Sequence, residues 1–533
     1  MSSKTCNRRA GLLAFAMGMA LVASAQAAPA SGLPAGARPQ DIDRLAARIQ
    51  QRFAVPGLAV AIVKDGKVVF AKGYGVREAG KAEKVDADTL FGIGSNTKAF
   101  TTAALAMLVD EGKLKWDDKV IDHLPGFRLY DPYVTRELTV RDLLTHRSGL
   151  GLGSGDLMLF PATDFKRSEV IHNLRYLPPA SGFRSKFAYD NLLYVVAGDL
   201  VPAITGQSWE TFVQTRILDR LGTGCAPTFT MIPAGRGVAM PHAIVDGKLT
   251  VVTPDPSTAY DPAGSIQCNA SGMGAWMAAQ LADGRLPEGP PLFSKAQHDE
   301  MWTPQTIVAP LPATAAMTNT HFRNYGLGWF IEDYQGELRV SHTGGLIGMV
   351  SAVSLLPDQK VGIVVLTNQQ SAGRTAMMQS LLDAFTGGPD RDWITIVGGM
   401  ESNLLGAMAT ADREADAAVK AGDGRAFLPL DAYAGVYRDV WRGDVTVEKR
   451  GDKLRMVFSR TQNMQGDMQV MKGNVFVVRW DDRSLRADAL VNFRTGLDGK
   501  VSGMTMAPLS SATDFSFDYQ DLDFTRAGSA PAR

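Results

Sequence analysis

Hydrophobic spacing predicts a helix and then a β-hairpin near the start of the folded chain. Over residues 41–53 four apolar side chains recur at helical spacing and share one face: Ile42, Leu45, Ala46 and Ile49. Two apolar runs follow at 57–63 and 68–71, and the Lys-Asp-Gly-Lys sequence between them is typical of a turn. Because both runs are mostly apolar, we expect a sheet that is covered on both faces.

Helical patterns dominate the chain from about residue 97 to 285, and strand patterns then return. The predicted strands are four short runs: 325–331, 339–341, 349–355 and 361–367. Strands at both ends of this region, with helices between them, predict one antiparallel sheet with helices packed on it. The expected fold class is therefore α/β, of the α+β type.

A second set of short strands begins near residue 428. Helical sequence with a Gly-Gly-Pro break at 387–389 precedes it, so we expect a main domain at 40–386 and a helical connector at 387–427. Evenly spaced strands with turn residues between them predict a small antiparallel β-barrel of ~100 residues at 428–533. The predicted strands of this barrel are 445–448, 454–458, 475–480, 490–493, 501–505 and 515–519.

The first 27 residues have the features of a secretory signal peptide. Basic residues precede an apolar run at 11–25, and Ala25-Gln26-Ala27 fits the small-residue cleavage rule. Residues 28–39 are then expected to form a flexible leader. No later run reaches ~18 uninterrupted apolar residues, so we expect no stable membrane anchor after signal removal. The predicted location is periplasmic or secreted.

Composition and charge exclude several classes of function. The 533 residues carry 55 basic and 55 acidic side chains, so there is no bulk electrostatic case for binding nucleic acid. The seven histidines include no His-x-x-x-His pair, and we expect no metal. Walker and dinucleotide-binding glycine motifs are also absent from the sequence, so we expect no cofactor. An oligomer stays an open alternative.

Two cysteines remain after removal of the predicted signal peptide. Cys225 and Cys268 lie 43 positions apart, and in an oxidising compartment they can pair as a disulfide or stay separate buried thiols. Both alternatives stay open from the sequence.

A Ser-x-x-Lys sequence is the first candidate for catalytic chemistry. Ser95 and Lys98 open an apolar helical pattern, and the chain contains no other Ser-x-x-Lys. Three residues of helix place the two side chains on one face, so the lysine can reach the serine hydroxyl. The helix N-terminus favours negative charge on an attacked carbonyl oxygen, and a buried lysine can act as the base if its pKa falls. An N-capping serine beside a solvated lysine is the alternative interpretation.

Two further sequences supply partners for this pair. Tyr189 and Asn191 precede an apolar helix at 192–197 and can offer a phenol for proton transfer and an amide for a substrate carbonyl. The sequence His-Thr-Gly-Gly at 342–345 follows a predicted strand, and its glycines can let a substrate backbone lie close to the strand edge.

Taken together, these motifs resemble the penicillin-recognising serine hydrolases: class C β-lactamases, DD-peptidases, D-aminopeptidases and esterases, of the serine peptidase S12 type. Further similar sequences lie at 138–150, 262–264, 325–329 and 364–368. The resemblance covers about residues 40–386 and implies a β-lactamase/transpeptidase-like sheet covered by helices. The C-terminal segment resembles the lipocalin-like domain that follows some of these hydrolases.

The resemblance also implies roles for individual residues. Ser95 would attack a carbonyl to form an acyl-enzyme, and Lys98 would take its proton. Tyr189 would protonate the leaving group and activate the deacylating water, while Asn191 would bind the acyl-chain amide.

The backbone N–H groups of Ser95 and Gly345 would form the oxyanion hole. His342, Thr343 and Gly344 would orient the substrate, including a carboxylate if it has one. His146, in contrast, is expected to be a structural turn residue that bonds backbone.

The sequence departs from the family at His342, where many members carry lysine. This departure shifts weight from β-lactamase activity toward a serine amidase or peptidase. The substrate would be a small molecule or short peptide, including peptides with D- or non-protein residues. A carboxylesterase with the same residues is the first alternative, and a β-lactamase or a penicillin-binding sensor that acylates and stalls is the second. The barrel is interpreted either as a cleft-shaping element or as a structural cap or oligomer interface.

Overall fold

The computed structural model describes residues 33–245 and 247–528. The predicted signal peptide 1–27 and the first part of the expected leader lie outside these residues. The described part of that leader is packed against the protein, since Leu33 and Ala37 are buried. Within the described ranges, no helix combines the length and the apolar composition that a bilayer-crossing segment needs.

The first part of the chain folds into an antiparallel sheet and surrounding helices, which we call the sheet domain. Its strands are β1 Gly57–Lys64, β2 Lys67–Gly75, β3 Phe91–Gly92, β4 His242–Val245, β5 Lys248–Val251, β6 Gln267–Cys268, β7 Thr306–Ile307, β8 Arg323–Tyr325, β9 Phe330–Tyr334, β10 Glu337–Leu346, β11 Met349–Leu356 and β12 Val361–Thr367. Its helices are α1 Pro39–Phe53, α2 Thr97–Asp110, α3 Val120–His123, α4 Pro132–Glu137, α5 Val140–Leu143, α6 Arg167–Asn173, α7 Leu192–Thr205, α8 Trp209–Val213, α9 Asp219–Leu221, α10 Asp261–Gly264, α11 Ala270–Leu281, α12 Lys295–Met301, α13 Pro312–Thr318 and α14 Gly373–Thr386.

Eight strands form the main sheet in the order β2-β1-β12-β11-β10-β9-β8-β7. The N-terminal hairpin therefore lies beside the last strand of the domain, with Val60 opposite Val365. Alternate residues of β1 enter two cores: Leu58, Val60 and Ile62 pack with α1 and α14, and the residues between them pack with α2 and α11. The structure confirms the predicted fold class.

Two expectations about the main sheet need correction. β2 is an edge strand, and Val68 and Val69 are exposed, so the sheet is not covered on both faces at this edge. The predicted strand 325–331 divides into β8 and β9, because Gly326 N donates to Trp329 O at 2.8 Å and closes a hairpin turn. Gly328 takes a φ of +84° in that turn, a conformation that only glycine adopts readily.

A long helix leads from the sheet domain to the second domain. Helix α15 spans Trp393–Ala421, and α16, Leu430–Tyr433, follows it. The barrel strands are β13 Gly435–Asp439, β14 Gly443–Arg450, β15 Lys453–Phe458, β16 Gln465–Lys472, β17 Val475–Trp480, β18 Ala489–Thr495, β19 Val501–Pro508 and β20 Asp523–Gly528. They pair as neighbours around a closed barrel, which leaves no free sheet edge.

The predicted strand at 515–519 is wrong. This segment lies in the connection between β19 and β20, where Tyr519–Asp521 forms a single 3₁₀ turn. The true last strand, β20, carries alternating polar residues that mask its pattern. Strand β16 was missed for a similar reason, since its buried positions include Gly466 and Met468 between exposed polar residues.

Side chains fill the inside of the barrel. Aromatic rings pack against one another there, with Phe476 and Phe493 centroids 5.3 Å apart and Phe458 and Trp480 centroids 5.8 Å apart. An eight-stranded barrel has an interior just wide enough for such filling. We therefore read this barrel as a packed structural body that presents its loops to the sheet domain.

The barrel docks on residues 153–173 of the sheet domain. Arg460 pairs with Asp164 and with Glu169 at 3.0 Å, and its guanidinium lies 4.1 Å from the Phe165 ring centroid. Asn173 Nδ2 donates to the Trp441 carbonyl at 2.8 Å. Ion pairs, stacking and hydrogen bonds together fix the two domains against each other.

The two remaining cysteines are paired. Cys225 and Cys268 form a disulfide, which resolves the alternatives left by the sequence. Cys268 lies in β6, opposite Phe91 of β3, and Phe91 precedes Ser95 by four residues. The disulfide therefore fixes β6, the strand that pairs with the segment leading into the Ser-x-x-Lys helix.

Candidate active site

Ser95 lies where a 3₁₀ turn, Gly94–Asn96, passes directly into α2. This helix is the central helix of the domain, since every residue from Thr97 to Leu108 is buried. One helical turn carries Lys98 back over Ser95, and its Nζ donates to Ser95 Oγ at 3.0 Å. The pairing predicted from the sequence is therefore a local consequence of helix geometry.

Neutral acceptors hold the Lys98 amine. Besides Ser95 Oγ, its Nζ donates to Asn191 Oδ1 at 2.8 Å and to the Ala263 carbonyl at 3.0 Å. Burial lowers the pKa of Lys98 to about 7, although the negative charges of Asp156 and Asp190 act to raise it. Near neutral pH this lysine can therefore exist as a free amine and take the proton of Ser95.

We expect kcat/KM to fall as the pH drops below about 7. A lysine whose pKa is lowered to about 7 is charged below that pH, and a charged lysine cannot accept a proton. The rate should fall about tenfold per pH unit on this acid limb and level off above it. The measurement is kcat/KM for an uncharged ester from pH 5 to 9, with thermal unfolding at each pH as the control. A flat profile between pH 5.5 and 8 would contradict the assignment.

Tyr189 completes a three-residue cluster with Ser95 and Lys98. Its ring centroid lies 4.8 Å from Lys98 Nζ, and its phenol is close enough to the Ser95 side chain for that side chain to act on the pKa of Tyr189. Burial raises the pKa of Tyr189, so the phenol stays protonated at neutral pH. The geometry therefore suits Tyr189 as a hydrogen-bond partner that passes a proton rather than as a standing tyrosinate base.

Asn191 is placed beside the cluster but has partners within the protein. Its Oδ1 accepts from Lys98, and its Nδ2 donates to both carboxylate oxygens of Asp156 at 3.0 and 3.2 Å. In this arrangement the amide orients the lysine. Binding of an acyl-chain amide, the role implied by the family resemblance, stays a prediction.

His342 lies on β10 as a buried and uncharged residue. Burial lowers its pKa to about 3. Its Nδ1 lies 2.7 Å from the Thr343 carbonyl, which can only accept, so Nδ1 carries the proton and Nε2 accepts from the Tyr325 hydroxyl at 3.0 Å. This position of β10 therefore holds no positive charge for a substrate carboxylate. Thr343, the next residue, is exposed.

The two glycines after Thr343 have different neighbours. A Cβ on Gly344 would lie 1.8 Å from the Ile93 carbonyl oxygen, so this glycine admits the protein's own backbone rather than a substrate. A Cβ on Gly345 would meet nothing within 4 Å, whereas a Cβ on Gly94, the residue before Ser95, would lie 2.7 Å from Gly345 N. Gly345 therefore faces open space beside the nucleophile, where an oxyanion-hole donor would be needed.

His146 bonds backbone, as expected. Its Nδ1 accepts from Asp190 N at 3.1 Å, and its ring packs on the Tyr189 ring at a centroid distance of 4.2 Å, with the two planes tilted by 31°. Burial lowers the pKa of His146 well below its usual value. The residue therefore supports Tyr189 as a neutral aromatic platform.

Three groups of this site carry no recognisable signal in the sequence. No motif marks Asp156, and Asp190 is the unassigned middle residue of the Tyr-x-Asn sequence. The Ala263 carbonyl belongs to the Pro-Ala-Gly sequence at 262–264, which resembled the family without an assigned role. Residues 33–245 and 247–528 contain no cluster of three or more His, Cys, Asp or Glu side chains placed to hold a metal ion.

A family model described as Beta-lactamase matches residues 42–386. The chain belongs to the Beta-lactamase family. It is a serine hydrolase of this family with a C-terminal barrel, and a second model, a domain of unknown function (DUF3471), matches residues 420–526.

Relatives of the chain include hydrolases and penicillin-binding proteins. The unguisins hydrolase ungD of Aspergillus violaceofuscus is 27% identical over 446 residues, 74% of each chain. Penicillin-binding protein 4 of Amycolatopsis lactamdurans is 30% identical over 327 residues, 59% of this chain and 81% of its own. The structure of an octameric penicillin-binding protein homologue from Pyrococcus abyssi covers 91% of this chain and 100% of its own, with 21% identity and a TM-score of 0.58. That likeness shows a shared fold.

Proposed function

We propose that the protein is an exported amidase or peptidase that cleaves amide bonds of small or linear peptides through an acyl-enzyme on Ser95. Its substrates would include peptides with D- or non-protein residues. The observation that carries the proposal is the contact of Ser95 Oγ with the buried, neutralisable amine of Lys98 at 3.0 Å. In this mechanism Lys98 takes the hydroxyl proton while Ser95 bonds to the carbonyl carbon. The Tyr189 phenol then delivers a proton to the leaving nitrogen as the C–N bond breaks, and Lys98 returns its proton to the phenolate.

The free part of β10 supports an extended substrate. Strand β9 pairs with β10 only as far as Ser341, whereas β11 pairs with β10 up to Leu346. Residues 342–346 therefore lack a β9 partner on the side away from β11. A peptide can add to such an edge through backbone hydrogen bonds, and it would then lie next to Ser95.

The charge at the site supports a substrate that is neutral near its reactive bond. His342 has a pKa lowered to about 3, so it offers a carboxylate no positive partner at neutral pH. A peptide amide or a blocked C-terminus fits this strand better than a β-lactam or a free C-terminal carboxylate. One relative is named for the hydrolysis of unguisins, in agreement with a hydrolytic reaction.

Export is the second part of the proposal. The signal-like sequence at 1–27 would direct secretion to the periplasm or beyond. The disulfide between Cys225 and Cys268 supports it, because such bonds persist mainly in oxidising compartments.

The test compares a p-nitroanilide and a p-nitrophenyl ester of one uncharged acyl group, with protein that starts at residue 28. We expect anilide turnover that exceeds the Ser95→Ala background by at least roughly 100-fold. Ester turnover without anilide turnover would replace the proposal with a carboxylesterase. A single burst of product with no turnover would instead indicate a penicillin-binding sensor.

A further inference from the structure

The barrel reaches the active site through one connection. We name the segment between β19 and β20 loop 509–522. Asp518 of this loop is buried, and its carboxylate accepts from Gly155 N at 2.5 Å and from Leu157 N at 3.2 Å. Two backbone N–H groups of the sheet domain therefore depend on one barrel side chain.

Three further contacts surround that anchor. Ser516 Oγ donates to Asp156 Oδ2 at 3.0 Å, and Ser154 Oγ donates to Asp521 Oδ2 at 3.2 Å. The Phe515 ring packs so closely on Gly153 that a Cβ there would lie 2.6 Å from it. Gly153 N in turn donates to the Tyr189 carbonyl at 3.0 Å. Loop 509–522 thus touches residues 153–157 at consecutive points.

Asp156 connects these contacts to the catalytic lysine. Its two oxygens accept from Asn191 Nδ2, and Asn191 Oδ1 accepts from Lys98 Nζ. A hydrogen-bonded chain therefore runs from Ser516 of the barrel to Asp156, Asn191 and Lys98. No substrate group is needed to complete it.

We propose that loop 509–522 positions the Lys98 amine for proton transfer, with Ser516 and Asp518 as positioning residues that the barrel contributes to the active site. This inference concerns the first chemical step at Ser95 and does not depend on which acyl group the enzyme prefers. It assigns the barrel a function in catalysis beyond its packing.

The charged groups around this hydrogen-bonded chain determine the direction in which the pKa of Lys98 should change. Burial raises the pKa of Asp156 well above its usual value, and the neighbouring carboxyl groups of Asp518 and Asp190 raise it further, while hydrogen bonds from Asn191 and Ser516 favour its ionised form. Lys98 faces titratable groups from several elements: Asp156, Asp190, Tyr189, Tyr194, His146 and His342. Removal of the Ser516 hydroxyl makes Asp156 harder to ionise, and Lys98 then loses its proton at a lower pH.

The experiment uses the full chain and an uncharged fluorophosphonate probe. In that reaction the Ser95 oxygen bonds to phosphorus, fluoride leaves, and the serine proton goes to Lys98. The rate constant of labelling is measured from pH 5 to 9 for the wild type, Ser516→Ala and Asp518→Asn. Ser511→Ala and Asp498→Asn are matched controls, because Ser511 is exposed in the same loop and Asp498 is exposed in the turn between β18 and β19, where its carboxylate accepts from Lys500 N.

For Ser516→Ala we expect the acid limb to move to lower pH by roughly half a unit, and Ser516→Thr should restore it. For Asp518→Asn we expect labelling at least roughly tenfold slower, because an amide group offers one acceptor oxygen to two N–H donors. With an ester substrate that loss should appear in kcat rather than KM. The two controls should behave as the wild type.

The proposal would be overturned if Ser516→Ala showed an unshifted acid limb and a folded Asp518→Asn was labelled at the wild-type rate. Equal losses of labelling rate in the two controls would overturn it as well. If Asp518→Asn fails to fold, the position of the acid limb in the labelling rates of Ser516→Ala tests the proposal by itself. Because labelling does not require amide turnover, an enzyme without anilide activity would refute the proposed function and leave this inference standing.

Discussion

Replacement of Ser95 by alanine is expected to lower kcat by about 10⁶-fold, the loss seen when a catalytic serine hydrolase nucleophile is removed. Ser95 Oγ accepts a hydrogen bond from the lysine amine, and alanine provides no oxygen to carry the acyl group. Because the side chain is small and partly exposed, the fold should persist. The measurement is kcat/KM with the p-nitrophenyl ester, together with mass spectrometry of the fluorophosphonate adduct.

Ser271→Ala provides the matched control for this prediction. Ser271 is a partly exposed serine of the same domain, and its hydroxyl donates to the Ala87 carbonyl at 3.3 Å. Its replacement should leave both activity and labelling unchanged. If Ser95→Ala kept its rate within tenfold of the wild type, the nucleophile would have to be a different residue.

Lys98→Met carries the second largest expected effect, a loss of about 10³- to 10⁴-fold in kcat/KM. Methionine fits the space of the lysine stem but cannot accept the Ser95 proton. Two stability effects oppose each other here. The variant no longer buries an amine, but it leaves the Asn191 and Ala263 oxygens without their donor. We therefore expect only a small change in melting temperature.

The pH profile separates loss of a base from general damage. We assign the expected acid limb near pH 7 to Lys98, so the residual activity of Lys98→Met should not show it. Lys98→Arg should also be inactive, because a guanidinium stays charged at every pH of the assay. Lys186→Met is the matched control, since Lys186 is exposed three residues before Tyr189. A Lys98→Met enzyme that kept both its rate and its acid limb would exclude Lys98 as the base.

The neutral side chain of His342 bears on the charge of the substrates that the site can accept. His342 uses both ring nitrogens in hydrogen bonds with the Thr343 carbonyl and the Tyr325 hydroxyl, so this position of β10 carries no charge. Restoration of lysine would bury a new charge among aromatic rings such as Phe330, at a centroid distance of 5.3 Å. The surroundings of this residue are therefore adapted to the neutral side chain, in agreement with the proposed preference for uncharged substrates.

Local sequence determined the part of this protein that depends on short-range geometry. Ser95 and Lys98 meet because a helix brings residues three apart onto one face, and this can be read without a structure. The unbroken apolar run of β1 predicts its burial between two layers of helices, and the returning strand patterns predict the antiparallel sheet. Hydrophobic periodicity can be read from the sequence wherever buried and exposed positions alternate regularly along a helix or strand.

Only the tertiary structure decided which distant groups complete the site. Ser516 and Asp156 lie 360 residues apart, and no local pattern pairs them. The lowered pKa values of Lys98 and His342 depend on burial by many chain segments. The same holds for the pairing of Cys225 with Cys268 and for the edge position of β2. Short-range order follows from the local backbone preferences of neighbouring residues. Long-range contacts and burial, in contrast, exist only once the whole chain has packed.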